Sequence, residues 1–495
     1  MPFYGTLKLT TSMKKLLFTL IACAAFITSA SAQSVLVMPG DYPDPSIIKD
    51  GDDYYLTHTP NYYKPGFLIW HSKDLVSWTP IGYALTDWKE SAWAPDFQKV
   101  GDTYYIYYPD AGSNYVIWSK DVAGPWSEPI DLKIGGIDPG LIVTPEGKRY
   151  LFTNVGHVTP WTDDGLARAG ETKHVYGGWD YPDEWVTECG CLESPKLNYY
   201  NGYYYMTSAM GGTAGPATSH MAVSARAKDI YGPWENSPYN PIVHTYSASE
   251  EWWSRGHGTL IEGPGGQWWI MYHAYKKDAH AIGRHTVMEP IEWTKGGWYR
   301  PVKDLDVSNM KPMVLDISDN FESGAIGWQW QGWKEPITNY VTTKKGAAIV
   351  PAKGTSPKDG RMMIAASPEY KYSVETAVTL GKGNEAGLML FYRQNAFVGV
   401  TVNKDAITIH KSATDKEEIS NKFGQSLRLR LENKGKTLTM SASKDGQEWV
   451  VIYENLDISN MHHNKLGDFI SLRPALCSFG EGEAKFHEFI YKPIK

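Results

Sequence analysis

The chain has 495 residues, too many for one ordinary domain, and 42% of them are hydrophobic, enough for sizeable cores. Acids exceed bases by seven, with no basic stripe to neutralise phosphates, which argues against nucleic acid as a partner. The 20 Trp and 32 Tyr suit strand packing, and their flat faces also suit sugar rings.

The first element is an export signal. Met13-Lys14-Lys15 supplies a positive start, residues 16–27 an apolar core, and Ala30-Ser31-Ala32 a small-residue cleavage site. Residues 1–32 therefore read as a signal peptide with an upstream extension at 1–12, and the mature protein as periplasmic or extracellular. Leu20-Ile21-Ala22-Cys23 is also similar to a lipoprotein signal, with Cys23 as the lipidated residue. The apolar run continues past Cys23, which favours simple cleavage. No other segment is long and apolar enough to span a membrane. Cys189, Cys191 and Cys477 remain, too few for a disulfide framework. Cys189 and Cys191 are one residue apart, a poor geometry for bridging each other, so free thiols are expected.

Residues 33–312 carry a five-fold repeat. A turn glycine followed by an aromatic-rich run occurs at Gly51, Gly101, Gly147, Gly202 and Gly266. A few residues before each glycine stands an ionisable residue: Asp44, Asp96, Asp138, Glu193 and His257. The pattern predicts a five-bladed β-propeller in which each blade sends its first strand to the axis, turns at the glycine and returns. Third strands are expected at 67–78, 116–126 and 221–234, each ending in Trp, with degraded or shorter copies at 165–179 and 283–293. An aromatic insertion with Trp161, Trp179, Tyr181 and Trp185 precedes Gly202. Helical periodicity is nearly absent.

Past about residue 312 the texture changes. Residues 372–378, 427–431 and 438–442 alternate apolar and polar at period two, separated by Lys382-Gly383, Lys434-Gly435 and Asp445-Gly446. Residues 316–495 are read as a β-sandwich, a concanavalin-like jelly roll, that braces the propeller. Asp316, Asp319 and Asn320 offer hard oxygen ligands for a structural calcium, or else form a turn and strand start. The fold class is thus all-β, propeller followed by sandwich.

The axial set carries the chemistry. Asp44, Asp138 and Glu193 each stand at or next to a proline at the start of a strand, which restricts the backbone and aims the side chain. Three carboxylates in one pocket cannot all ionise cheaply, so their pKa values separate. Glycoside hydrolysis needs that separation: a protonated acid for the leaving oxygen and an ionised base for water.

Residues 41–56 and 65–75, Ala92-Trp93-Ala94-Pro95, residues 135–139, Glu193-Ser194-Pro195 and Gly283-Arg284 together resemble glycoside hydrolase family 43, over about 280 residues and in the family's order. The resemblance implies inversion of configuration, with Asp44 as general base, Glu193 as general acid and Asp138 as the residue that orients the acid and raises its pKa. It implies Trp93 at the sugar site and Arg284 on the sugar hydroxyls. His257 matches an axial histidine that in some members sits by a central metal ion or water. Asp96 on the second inner strand and Tyr62 or Tyr63 are further substrate candidates. Ser194 departs from the family's usual Glu-Gly-Pro. Glu188-Cys189 is similar to the Glu-Cys pair of invertase-like families, whose other motifs are missing.

The expected function is release of a terminal pentose, α-L-arabinofuranose or β-D-xylose, from oligosaccharides or plant-type polysaccharides. No cofactor is required on this reading. A calcium ion in the axial channel or the sandwich is an optional structural addition, and the expected assembly is a monomer or small homo-oligomer. A galactose-specific enzyme and a non-catalytic sugar-binding propeller are the alternatives.

Overall fold

The computed structural model describes residues 34–154 and 156–495. The export and lipidation signals, including Cys23, lie outside the described residues.

Four antiparallel strands make each of five blades. The first blade runs Ser46–Asp50, Asp53–Thr57, Gly66–Ser72 and Thr79–Leu85; the second Asp96–Val100, Thr103–Asp110, Ser113–Ser119 and Ile130–Asp131. The third has Gly140–Val143, Arg149–Thr153, His157–Trp161 and Lys173–His174; the fourth begins Glu193–Tyr200, Tyr203–Met210 and Met221–Ala227. The fifth takes Trp252–Glu262, Trp268–Lys276 and Arg284–Trp293, and its outer strand is Val35–Met38 from the other end of the domain. That last pairing closes the ring: Val35 lies opposite Met288, 253 positions away. A closed ring leaves no long sheet edge exposed.

The repeat glycines do what the pattern required. Gly51, Gly101, Gly147, Gly202 and Gly266 all have φ between 62° and 83°, the left-handed region where a side chain is strained. The third blade departs from expectation. Its third strand is His157–Trp161, upstream of the predicted 165–179, so Trp161 is a buried strand residue whose indole bonds the Gly165 carbonyl at 2.9 Å, and no part of an insertion. Cys189 and Cys191 also overturn the free-thiol reading: they are disulfide-bonded, the backbone folding back on itself at Gly190 to bring them together. Cys477 is a buried free thiol in the sandwich.

The sandwich stacks a seven-stranded antiparallel sheet on a six-stranded one. Tyr372–Leu380 shows the predicted alternation, every second residue buried. Asp319 makes an isolated antiparallel bridge with Phe489, and Asp316 and Asn320 lie in irregular backbone beside it. Asp319 accepts from the Phe321 amide (2.7 Å), the Trp330 indole (2.9 Å) and Gln329 (3.2 Å), so its oxygens are taken by protein donors. Asp316 and Asn320 each accept an amide two residues on.

The two domains share a core. Tyr63 and Ala281 of the propeller belong to the same buried cluster as Trp330, Phe391 and Leu476 of the sandwich. Gly332–Trp333 pairs as a short strand with Tyr63–Lys64, and Leu472 donates its amide to the Ala281 carbonyl at 2.7 Å. Connecting residues Val307 and Leu315 pack into the first-blade core.

Adjacent inner strands approach closely between the third and fourth blades. A Cβ on Gly140 would stand 1.8 Å from the Pro195 carbonyl oxygen, which is backbone and cannot swing aside. Gly140→Ala is therefore expected to destabilise the fold by roughly 1–3 kcal/mol. Calorimetric unfolding of the full chain checks this as a lowered transition temperature.

Candidate active site

Asp44 and Asp138 stand two residues before their inner strands, Asp96 and Glu193 open theirs, and His257 lies midway along Trp252–Glu262. Asp44, Asp138 and His257 have φ of 55°, 54° and 58°, and Ser194, beside Glu193, has 56°. Left-handed backbone at equivalent points turns each side chain out of the strand's pleat and toward one face of the ring. The strain of order 1 kcal/mol per residue is held by the surrounding blades.

Asp44 is buried and surrounded by donors. Oδ2 accepts from Thr59 Oγ1 at 2.6 Å, and Oδ1 from Arg284 Nη1 at 2.9 Å. His273 Nδ1 lies 2.9 Å and His257 Nδ1 3.4 Å from Oδ1. Burial works to raise the Asp44 pKa, but Arg284, then the two histidines, outweigh it and hold the carboxyl well below the usual range. His273 Nδ1 either donates to Asp44 Oδ1 or accepts the Asp44 amide at 3.2 Å, according to its tautomer, and His273 Nε2 meets Thr213 Oγ1 at 2.6 Å. Burial and Arg284 keep His273 below its ordinary pKa.

Asp138 and Glu193 behave oppositely. Their carboxyl oxygens and a ring nitrogen of His257 lie within 4.8 Å of one another. Burial and then the Asp44 charge push Asp138 up to about 7. Burial, then the Asp138 and Asp44 charges, push Glu193 well above the carboxylate range. Lys196 and the Ser194 amide, the latter 3.2 Å from Asp138 Oδ2, favour ionised Asp138. Both carboxyls are thus raised, and the pair as a whole favours holding a proton. The Glu193 side chain is 20% exposed, whereas Asp44 and Asp138 are 7% and 5% exposed, so Glu193 is the most accessible of the three.

The remaining predicted residues divide. Arg284 is buried on Asp44, with Nε lacking a protein partner. Trp93 is 45% exposed, its indole fixed on Ser91 Oγ at 2.8 Å. His257 is buried and its Nε2 has no protein partner. Its other ring nitrogen, Nδ1, faces the carboxylates, 3.4 Å from Asp44 Oδ1 and 4.0 Å from Asp138 Oδ2, so His257 with Asp44 and His273, or with Asp138 and Glu193, has the donor set for a central ion. Asp96 is corrected: both of its oxygens are occupied, by Lys196 Nζ (3.1 Å), the Leu141 amide (2.8 Å) and Gln98 (3.0 Å). It ties blades together beside a channel cavity of about 210 Å³ lined by inner strands. Tyr62 faces the sandwich, its ring 5.1 Å from Trp333 and 4.7 Å from Lys334 Nζ, while its hydroxyl neighbours Ser91. Tyr63 is wholly buried.

Several site residues escaped the sequence reading. Thr59, His273 and Thr213 lie on second strands or loops, where no repeat position flags them. His220 stacks on His273 at 5.2 Å and stands 3.8 Å from Glu193. The sandwich, read as a brace, also supplies the site wall: the half-exposed Phe469 ring lies 5.8 Å from the Arg284 guanidinium, and Asn464 bonds Gly215 in both directions. Trp179, Tyr181 and Trp185 pack over Met210 and Met221, with Trp185 stacked 4.3 Å from His244.

Comparisons with known proteins agree with this geometry. Over 491 aligned residues the chain is 25% identical to the xylan 1,3-beta-xylosidase of Vibrio sp, covering 84% of this chain and 89% of that protein. It is 24% identical to xylosidase/arabinosidase 43B of Humicola insolens, covering 93% and 97%. The non-reducing end alpha-L-arabinofuranosidase of Bacteroides ovatus is 28% identical over 65% of this chain and 64% of its own. The crystal structure of the BlXynB protein of Bacillus licheniformis has the same fold, with a TM-score of 0.82 at 24% identity over 93% of this chain and all of that one. Residues 318–492 match the beta xylosidase C-terminal concanavalin A-like domain. Residues 35–299, the propeller that carries every axial carboxylate, match glycosyl hydrolases family 43, and the chain belongs to that family of glycoside hydrolases.

Proposed function

We propose that the protein is an exo-acting, inverting pentosidase that releases terminal α-L-arabinofuranose or β-D-xylose. The observation that carries this reading is the contrast between two carboxyls in one pocket: Asp44 accepts from Arg284 and Thr59, which favour its anion, whereas Glu193 has burial and the neighbouring Asp138, which favour its proton. Glu193 protonates the glycosidic oxygen as the bond to the sugar breaks. Asp44 takes a proton from the water that attacks the opposite face, and the sugar leaves with inverted configuration. Asp138 keeps Glu193 protonated between turnovers, and Arg284, with its free Nε, binds a sugar hydroxyl. Trp93 offers its exposed face to the ring. A pocket walled by Phe469 and the 213–215 segment suits one terminal residue, which supports exo cleavage. The relatives named xylosidase and arabinosidase support the pentose. The basic, apolar and small-residue order of residues 13–32 supports export.

Hydrolysis of p-nitrophenyl α-L-arabinofuranoside and p-nitrophenyl β-D-xyloside tests the reading. Wild type is expected to cleave at least one, and Asp44→Asn and Glu193→Gln to lose about 10²–10⁴-fold in kcat. A folded wild type inactive on both overturns the pentose, and sugar binding without hydrolysis supports a binding propeller.

The pH dependence follows from the same charges. The competent state has Asp44 ionised and Glu193 protonated, so kcat/KM falls at high pH as Glu193 loses its proton. Asp138→Asn removes a negative charge that raises Glu193, and the alkaline limb should move to lower pH. A pH–rate profile of the two proteins measures it. Ser194 adds a stability prediction: its φ is +56° and its buried hydroxyl has no partner. Ser194→Gly is expected to stabilise the chain by roughly 0.5–1 kcal/mol in denaturant titration.

A further inference from the structure

The sandwich reaches toward the base as well as walling the pocket. Arg473 opens the strand Arg473–Gly480 and is buried. Its Nη2 lies 3.0 Å from Asp41 Oδ2, its Nη1 3.1 Å from Gln331 Oε1, and its guanidinium covers the Tyr63 ring at 3.6 Å. The other Asp41 oxygen, Oδ1, accepts the backbone amide of Arg284 at 3.2 Å. Arg284 in turn holds Asp44 Oδ1 at 2.9 Å. Four charged groups thus alternate in sign from the sandwich to the axis: Arg473, Asp41, Arg284, Asp44. Room for the middle contact comes from Gly283, where a Cβ would fall 2.2 Å from Asp41 Oδ1.

We propose that Arg473 is a positioning residue for the catalytic base: by neutralising Asp41 it reserves the Arg284 guanidinium for Asp44. The inference rests on the reading of Asp44 as the base. Asp41 is as deeply buried as Asp44, and both are close to Arg284. A buried carboxylate without a cation is strongly unfavourable and draws whatever positive group is near. With Arg473 in place each carboxylate has its own arginine. Without it, Asp41 competes for Arg284, whose own amide already anchors it beside Asp41. The sandwich then acts on the chemistry through charge, from 432 residues along the chain.

The test is a double-mutant cycle in the full-length protein on the better p-nitrophenyl pentoside. Loss of hydrolysis in Asp44→Asn first establishes the reading on which the inference rests. Arg473→Met is then expected to lower kcat about 100-fold, the scale of a misplaced catalytic group, with a smaller change in KM. Asp41→Asn/Arg473→Met removes the competing charge while keeping an oxygen for the Arg284 amide, and is expected to regain at least about tenfold of that kcat. If Arg473 only braces the domains, the double variant is no better than the single one, and KM rises instead as the pocket wall loosens; either result overturns the proposal, as does an undiminished kcat in Arg473→Met. Should circular dichroism show Arg473→Met unfolded, Arg473→Lys decides. It keeps the charge at Asp41 and is expected to hold kcat within about threefold of wild type. A folded Arg473→Lys as impaired as expected for the charge deletion also overturns the proposal.

Discussion

A buried carboxylate stays ionised only when donors replace the water it has lost, and the site is organised around meeting that condition at Asp44. Thr59 comes from the loop after the first blade's second strand, Arg284 from the third strand of the fifth blade, and His273 from that blade's second strand. The first and fifth blades must therefore meet in register before Asp44 has its full set of partners. The same condition is unmet at Glu193: His220 stands 3.8 Å away, Asp138 adds a like charge, and burial raises the pKa. One axis thus holds a carboxylate with full compensation and a carboxylic acid without it, and the difference in donors sets the difference in charge.

Ring closure and domain docking serve this arrangement. Val35–Met38 completes the fifth blade, fixing the sheet from which Arg284 projects. The sandwich then seals the side of the first and fifth blades: Gln331 bonds the Tyr63 and Pro65 carbonyls, and Leu472 bonds Ala281. Shared apolar burial across the boundary makes the two domains one core at that edge. A loosely tethered module would not place Phe469 beside Arg284.

Much of this was legible in the chain. Turn glycines at near-regular spacing specify hairpins, because only glycine takes the left-handed turn without strain, and five of them specify five blades. Alternation at residues 372–378 specifies a half-buried strand whatever its neighbours are. Asp44, Asp138 and Glu193 were singled out because they occupy equivalent points of a repeat, and the fold brings them around His257. Asp96 occupies such a point too, yet its oxygens are spent on Lys196 and Leu141, and no local feature distinguishes it from the others. The Cys189–Cys191 bridge was missed because spacing alone does not show how the backbone turns at Gly190.

The sequence by itself determined the strands, the turns and the residues that could carry charge to the axis. These depend on local backbone preference and on side-chain period, both written in neighbouring residues. Tertiary structure alone decided in which direction each carboxyl's affinity for its proton is pushed. That depends on burial and on partners such as Arg284 for Asp44 or Asp138 for Glu193, brought together from distant blades. It also decided that Arg473 and Phe469 belong near the site, since electrostatic and packing contacts act through space and leave no periodic trace along the chain.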